Sequence, residues 1–312
     1  MMTEQYLNNL NVPTAKVDVV IDTDTYNETD DQFAISYLLA SSDKLNLKAL
    51  YAAPFFNRHS KSPKDGMQKS YEEILRLLQL AGRPELAAVT YRGSESYLAN
   101  ETVPVISAAA ENLAERAMQY SPQRPLYVVA IGAITNVASA LLLKPEIAER
   151  MVLVWLGGNG REASDNKEFN LHQDVAAARV VFRSSMPVVQ LPVAGVVSSF
   201  AIPYVELEYF LQGKNPLCDY LVDRAKEEME FYSKEHTAKS RVLCDVTAVA
   251  WLLNDNSRFM AARLDFRPIP EYDGFCAYDR SRFIQYVYCI NRDALATDLF
   301  AKLAGYQQKC IQ

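Results

Sequence analysis

Glycine, proline and long apolar runs are all scarce in this sequence. Eleven glycines and 14 prolines among 312 residues are too few for a fibrous or low-complexity chain. No stretch approaches the roughly 20 apolar residues that a membrane-spanning helix needs, so we expect no membrane partner. The first 16 residues lack the basic start and the apolar stretch of a secretory signal, which predicts a cytoplasmic protein.

Paired cysteines and an excess of positive charge are missing as well. The five cysteines are an odd number without Cys-x-x-Cys spacing, which argues against a disulfide framework or a zinc knuckle and predicts reduced thiols. The 32 Lys and Arg residues against 38 Asp and Glu residues give a net charge of −6. This charge disfavours nonspecific attraction to nucleic acid, which we do not expect as a partner. His59, His172 and His236 lack metal-ligand spacing, so structural or surface positions are predicted for them.

The sequence does contain a regular alternation of strand and helix patterns. It starts with a β-branched run at 17–21, a polar loop, and a helical pattern from Asp30 for which Thr29 is the predicted N-cap. Further strands are predicted at 45–53, 87–91, 126–131, 151–156 and 188–191, and helices at 66–81, from near Pro104, at 135–143 and at 174–183. Such alternation predicts an α/β fold with an open, mostly parallel, Rossmann-like sheet and helices on both faces.

The alternation becomes irregular after about residue 195. There we predict helices at 215–239, 244–253 and 292–303, and strands at 259–266 and 282–290. No linker rich in Gly, Ser or Pro divides the chain, and no internal repeat is present. We therefore predict one domain over 1–312, in which residues 200–240 form a helical lid.

Carboxylates are concentrated directly after the first predicted strand. Five of the ten residues from 22 to 31 are acidic, and their mutual repulsion is costly without a cation. In an open parallel sheet, ligands bind at this end of the strands, and oxygen ligands suit a hard divalent ion. We predict that Asp24 and Asp31 bind such an ion. Asp30 points about 100° away from Asp31 on the helix, where a sugar hydroxyl is a natural partner.

Other interpretations of this acidic segment are open. Its Asp and Thr residues could simply cap a helix and solvate a turn. A strand followed by Asp-x-Asp also begins phosphohydrolases of the haloacid-dehalogenase type. That pattern has Thr or Val two residues after the second Asp, where this chain has Tyr26, and no later Gly-Asp-rich motif follows. A metal-dependent phosphohydrolase is therefore the alternative enzyme.

The acidic segment resembles the N-terminal signature of the nucleoside hydrolases, D-x-D-x-x-x-D-D, with five residues instead of three between Asp24 and Asp30. Similar blocks follow in the family's order up to about residue 255. Residues 131–138, IGAITNVA, are similar to the G-x-x-T-N-x-A block, and residues 168–170 match E-F-N. Cys244 and Asp245 stand where the family has H-D-x-x-A. The resemblance implies the nucleoside hydrolase fold and the hydrolysis of the N-glycosidic bond of ribonucleosides to ribose and free base.

The resemblance also implies a role for each matching residue. The ligands of a bound Ca²⁺ would be Asp24, Asp31, Asp245 and the main-chain carbonyl of Ile131. Asp24 would take a proton from a metal-bound water. The residues that would bind the ribonucleoside are Asp30, Asn57, Glu168, Asn170 and Cys244.

Cys244 is a departure from one branch of this family. A His at this place is credited with helping the departing base, and a thiol cannot do so at neutral pH as an imidazole can. A nucleoside- or sugar-binding protein that has lost turnover is therefore the nonenzymatic alternative. The family otherwise implies purine and pyrimidine salvage by a homodimer or homotetramer.

Overall fold

The apolar runs of the sequence form the strands of a central sheet. In the computed structural model, which describes residues 3–232 and 239–306, eight strands of these two ranges form one sheet and two short strands form another. His236 and Cys310 lie outside the described residues. The strands are β1 (Val17–Thr23), β2 (Leu45–Ala52), β3 (Thr90–Arg92), β4 (Leu126–Ala130), β5 (Met151–Leu156), β6 (Val188–Leu191), β7 (Ala201–Pro203), β8 (Ser240–Val242), β9 (Met260–Pro270) and β10 (Cys276–Ile290).

The order of the strands shows where a ligand crevice lies. Across the large sheet they follow one another as β3-β2-β1-β4-β5-β6-β10-β9. Among the described strands of this sheet, only β9 runs antiparallel to its neighbour, which confirms the predicted open and mostly parallel sheet. The chain moves outward from β1 to β3 and then crosses to β4 on the other side of β1. Ligands bind at the carboxyl ends of the strands at such a switch point.

Helices cover both faces of the sheet, as predicted. They are α1 (Glu4–Asn9), α2 (Asp30–Ala40), α3 (Pro63–Leu80), α4 (Ala108–Ala117), α5 (Thr135–Leu143), α6 (Phe169–Gln173), α7 (Val175–Arg183), α8 (Tyr204–Leu211), α9 (Pro216–Tyr232), α10 (Val246–Trp251) and α11 (Arg292–Ala304). The side chains of β1 alternate between two cores, since Val19 and Ile21 pack with α2, α3 and α11, whereas Val20 packs with α4, α5 and α7. None of the described helices is long and apolar enough to cross a membrane.

Some predicted boundaries are wrong, and the errors have local causes. The helix expected near Pro104 begins at Ala108, because the side chain of Ser107 caps its first turn. β3 begins only at Thr90, since a 3-10 helix occupies 84–89. The last two strands of the large sheet are longer than predicted because they pair as an antiparallel hairpin through charged residues that interrupt the apolar pattern.

The predicted lid region contains two described helices instead of one. The charged helix predicted over 215–239 corresponds to α9, and its predicted part at 233–238 lies outside the described residues. Sequence patterning missed α8, because Val205, Tyr209 and Phe210 are exposed on it and obscure its apolar period. The helix predicted over 244–253 is the shorter α10.

Candidate active site

Four aspartates from three separate segments meet at the carboxyl end of β1. Asp24 directly follows the strand, Asp30 and Asp31 begin α2, and Asp245 directly precedes α10. Carboxylate oxygens of Asp30, Asp31 and Asp245 all lie within 4.8 Å of one another, as in a metal site. All four side chains are buried. The structure thus brings together the four acidic residues that the sequence singles out, although Asp245 is 215 residues from Asp30.

Neutral donors orient two of these carboxylates. The hydroxyl of Thr23 donates a hydrogen bond to Asp31 at 2.5 Å. The N–H of Asp245 donates to Asp30 at 3.4 Å. Thr23 points to the same face of the sheet as α2, because side chains alternate along β1. The strand and the helix that follows it therefore hold Asp31 in a fixed position.

Asp24 differs from its neighbours because both of its carboxylate oxygens are buried and accept no hydrogen bond from a described residue. Burial, followed by the negative charges of Asp31 and Asp30, holds the pKa of Asp24 well above its usual range. Burial likewise raises the pKa of Asp31 and of Asp245 well above the ordinary value. Unpartnered buried oxygens are costly, so this cluster has the charge and the donor atoms that suit a hard divalent cation.

The turn after β4 lies against Asp24. A Cβ on Gly132 would lie 3.0 Å from the carboxylate carbon of Asp24, so only glycine allows this close approach without displacement. The main-chain carbonyl of Ile131 accepts a hydrogen bond from the side-chain amide of Asn170 at 3.3 Å. The predicted carbonyl ligand and a predicted substrate-binding residue are therefore adjacent at the switch point.

Glu168 caps α6 from inside the site. Its carboxylate accepts hydrogen bonds from the N–H groups of Gly158, Asn170 and Leu171 at 2.8, 2.8 and 3.0 Å. Burial raises the pKa of Glu168 to about 7, and these three N–H groups oppose the rise. A carboxylate has about four acceptor positions, so one position remains for a ligand hydroxyl. The role as a cap and the predicted role in substrate binding are compatible.

Asn57 reaches the acidic loop only through another asparagine. Its side-chain amide donates to Asn27 at 2.5 Å, and its side-chain oxygen accepts from the N–H of His59 at 2.8 Å. The sequence analysis missed Asn27, which is buried within the acidic loop. Its position among five acidic residues was the available signal. Both asparagines are near the site, but no hydrogen bond among the described residues joins Asn57 to the four aspartates.

Cys244 lies beside two candidate substrate ligands. Burial, followed by the negative charges of Asp30 and Glu168, raises the pKa of the Cys244 thiol well above its ordinary value. The thiol is therefore neutral at physiological pH and is a weak hydrogen-bond donor. The structure gives no route by which this side chain could act as an imidazole does.

Two further features of the site carry no sequence motif. Tyr97 lies close to Asp24, since burial and then the negative charge of Asp24 raise its pKa, and its hydroxyl donates to Gln173 at 2.5 Å. Arg241 forms an ion pair with Glu28 of the acidic loop. These residues come from loops and from β8, and only tertiary contacts bring them to the site.

The fold is that of nucleoside hydrolases of known structure. The purine-preferring ribonucleoside hydrolase from Gardnerella vaginalis aligns with a TM-score of 0.73 at 19% identity, over 93% of this chain and 99% of that one. An inosine-guanosine nucleoside hydrolase aligns with a TM-score of 0.73 at 18% identity, over 94% of this chain and 100% of that one. The predicted fold class is thereby confirmed.

The chain belongs to the inosine-uridine preferring nucleoside hydrolase family, whose sequence model matches residues 19–267. A curated relative, the pyrimidine-specific ribonucleoside hydrolase RihA of Klebsiella pneumoniae (strain 342), is 29% identical over 251 residues. The alignment covers 72% of this chain and 76% of the relative. The resemblance and the enzyme class predicted from the sequence are both confirmed: the chain is an enzyme of the ribonucleoside N-ribohydrolase class.

Proposed function

We propose that this enzyme needs a divalent cation, Ca²⁺, held by Asp24, Asp31, Asp245 and the carbonyl oxygen of Ile131. The observation that carries the proposal is the buried pair of Asp24 oxygens, for which the described residues supply no hydrogen bond. When bound, the cation would neutralise the cluster and lower the pKa of a water molecule. The oxygen-only donor set is the kind that Ca²⁺ prefers.

Asp24 is proposed as the general base. It lies at the end of β1, next to the turn at Gly132, and its oxygens are not engaged by described protein donors. A base must be within hydrogen-bond reach of the proton it removes. The negative charges of Asp30 and Asp31 raise its proton affinity, which favours proton uptake from water. The water oxygen then forms the new bond to C1′ of the ribose as the bond from C1′ to the base nitrogen breaks.

The remaining predicted residues are proposed to hold the ribose. Asp30, Asn57, Glu168 and Asn170 would bind its hydroxyls, and this binding energy would favour the sugar geometry of the oxocarbenium-like transition state. Glu168 retains an acceptor position beyond its three N–H partners. We propose that Cys244 lies beside the sugar, because the negative charges of Asp30 and Glu168 both raise the pKa of its thiol.

The wider biological role is proposed from the family to which the chain belongs. We propose purine and pyrimidine salvage in the cytoplasm by a homodimer or homotetramer of single-domain chains, with residues 200–240 as a lid. The base preference is open, since RihA is described as pyrimidine-specific and the Gardnerella enzyme as purine-preferring.

A reducing-sugar assay across inosine, uridine, adenosine, guanosine and cytidine tests the proposal. We expect ribose release that is lost on treatment with a chelator and restored by Ca²⁺. Ribose release that survives complete removal of metal contradicts the cation requirement. Release of phosphate from sugar phosphates, without ribose release from nucleosides, supports the phosphohydrolase instead. Nucleoside binding without ribose release supports a binding protein that has lost turnover at Cys244.

A further inference from the structure

A positive charge lies inside this otherwise acidic site. Arg241, on β8, is three residues before Cys244, and its guanidinium forms an ion pair with Glu28 of the acidic loop. The Arg241 side chain is 15% exposed and that of Glu28 is 37% exposed. The pair thus joins β8 to the loop between β1 and α2 at the edge of the buried cluster.

The charge of Arg241 acts on the sugar-binding side of the site. Burial raises the pKa of Asp30, and Arg241 is the largest effect that opposes this rise. Burial and Asp30 raise the pKa of Cys244, and Arg241 opposes that rise too. Both neighbours are residues proposed to face the nucleoside. The ion pair with Glu28, two residues before Asp30, therefore brings a positive charge to this side of the site.

Hydrolysis of a nucleoside creates a negative charge that this site must accommodate. When the C1′–N bond breaks, its electron pair goes to the base, and the charge spreads over ring nitrogens and, in a pyrimidine, the oxygen at position 2. An anion formed beside Asp30 and Glu168 is repelled in a buried site. The neutral Cys244 thiol offers only a weak donor, whereas a guanidinium offers a charged fork of N–H groups that matches oxygen and nitrogen acceptors.

Two other arginines near the acidic loop form their ion pairs with α9, and the guanidinium of Arg224 also lies 5.8 Å from the ring centre of Tyr26. Arg58 donates to Glu228 of α9 at 2.8 Å and stacks on Phe231, 3.7 Å from the ring centre. Arg224 forms an ion pair with Glu227. Neither contributes to the main effects on the pKa of Cys244. Arg241 forms its ion pair with the acidic loop itself, whereas Arg58 and Arg224 pair with α9, so we favour Arg241 for contact with a departing base.

We propose that Arg241 stabilises the departing nucleobase as an anion, and that Glu28 is a positioning residue that holds the guanidinium. The inference rests on the proposed hydrolysis of ribonucleosides. The water oxygen bonds to C1′, Asp24 takes one water proton, and the base leaves with the electron pair of the broken bond. Asp24 then releases its proton to solvent and the base takes one up, so that nucleoside and water give ribose and neutral base.

The test compares substrates whose leaving groups differ in their need for help. Uridine and inosine have poor leaving groups, whereas 4-nitrophenyl β-D-ribofuranoside releases a stable phenolate without assistance. We expect Arg241→Ala to lower kcat/KM about 100-fold on uridine or inosine and less than about threefold on the nitrophenyl riboside. Arg241→Lys keeps the charge but loses the fork, and we expect a loss of about tenfold on nucleosides. Glu28→Gln should also lower kcat/KM more on nucleosides than on the nitrophenyl riboside, but by a smaller factor.

Arg292→Ala is the matched control. Arg292 forms a comparable ion pair with Glu206, with side chains 26% and 30% exposed, and it joins α11 to α8 away from the acidic cluster. We expect its kcat/KM to equal that of the wild type on both substrate classes. Millimolar methylguanidinium should restore nucleoside turnover to Arg241→Ala without changing turnover of the nitrophenyl riboside. If Arg241→Ala does not fold, Arg241→Lys still reports how kcat/KM on nucleosides changes relative to kcat/KM on the nitrophenyl riboside.

The outcomes separate this inference from the proposed function. A wild-type enzyme that releases no ribose from any nucleoside overturns both. Wild-type nucleoside turnover with an equal loss on both substrate classes in the Arg241 variants shows a structural role and overturns only the inference. An unchanged kcat/KM in Arg241→Ala overturns it as well.

Discussion

Arg267 and Asp24 are both fully buried charged side chains, but their surroundings are opposite. The terminal nitrogens of Arg267, on β9, donate to the carbonyl oxygens of Ser184 and Phe182 at 2.6 and 3.2 Å and to the Tyr6 hydroxyl at 2.7 Å. The carboxylate of Asp24 accepts no hydrogen bond from another residue within 3–232 and 239–306. The protein supplies hydrogen-bond acceptors to the buried guanidinium of Arg267, whereas the described residues supply no donor to the buried carboxylate of Asp24.

The difference separates a structural charge from one that we propose to be functional. Protein groups that solvate an ion stabilise it and leave no position for a ligand. A cluster of carboxylates without such groups destabilises the metal-free fold and binds a cation strongly. Burial lowers the pKa of Arg267 and, together with Asp31 and Asp30, raises that of Asp24. The carboxylate cluster is therefore the region in which stability and function oppose each other.

The largest expected effect comes from removing the negative charge of Asp24. We expect Asp24→Asn to lower kcat/KM for nucleosides by about 100- to 10,000-fold, because it removes the proposed general base. In the presence of a chelator its free energy of unfolding should be no lower than that of the wild type, because a repelled charge is gone. Steady-state kinetics and urea denaturation measure the two quantities.

Asp18→Asn is the control for that variant. Asp18 lies at the other end of β1, where it accepts hydrogen bonds from Asn46 and Tyr120. Its kcat/KM should match the wild type. Retained turnover in Asp24→Asn would rule out Asp24 as the base.

Removing the positive charge of Arg267 should have the opposite effect on stability. Arg267→Met leaves several buried carbonyl oxygens without a donor, so we expect a loss of about 2 to 5 kcal/mol in the free energy of unfolding. Arg263→Met is the control, since the Arg263 side chain on the same strand is 54% exposed and its loss should change stability by less than about 0.5 kcal/mol. Equal unfolding midpoints in urea for the two variants would contradict the structural role of Arg267.

A smaller effect tests how the cluster is positioned. Thr23→Val removes the hydroxyl that donates to Asp31 at 2.5 Å and keeps the shape of the side chain. We expect Ca²⁺ affinity to fall about tenfold, because the partners of ligating carboxylates orient them. Isothermal titration calorimetry measures the affinity. Thr297→Val, whose hydroxyl donates to the carbonyl of Asp293 on α11, should bind Ca²⁺ as the wild type does.

The smallest expected effect is a pH dependence of the metal-free protein. Burial raises the pKa of Asp22 and of Glu168 to about 7 in the fold, above their unfolded values. The native state therefore binds more protons than the unfolded state below pH 7, and stability rises as the pH falls from 8 to 6. We expect a gain on the order of 1 kcal/mol, measured by urea denaturation in a chelator. Arg267 should contribute nothing, since arginine titrates far above this range.

A stability that is constant or falls between pH 8 and 6 would contradict the raised pKa values. Saturating Ca²⁺ supplies the control, because a bound cation favours the ionised carboxylates. With Ca²⁺ present, stability should rise at pH 8 and the gain on acidification should disappear.

Much of the fold was predictable because its signals are local. The strand runs at 151–156 and 188–191 and the helix at 135–143 match the structure, since buried parallel strands and the helices that cover them have periods readable within a few residues. α8 was missed because its exposed apolar side chains depend on what packs nearby. The strands of the final hairpin were underestimated, because pairing between β9 and β10 overrides the charges in their sequence.

Some residues of the candidate site were likewise predictable from local sequence, and others were not. Asp24, Asp30 and Asp31 lie within eight residues, so a strand, a loop and a helix N-terminus place them together. The pairing of Arg241 with Glu28 is not encoded by any local pattern, and neither is the contact of Gly132 with Asp24. These contacts join segments whose separation along the chain exceeds any period that a pattern can show.

The sequence by itself determined the alternation of strands and helices, the acidic segment after β1, and the family resemblance, because each depends on residues close together in the chain. The resemblance implied that Asp245 belongs with that segment, and the tertiary structure decided that the carboxylate oxygens of Asp24 are left without a described partner. It also decided that Arg241 forms an ion pair with Glu28 of that segment. The physical reason is burial: charges that repel or attract one another weakly in an extended chain act strongly once the core excludes water from between them.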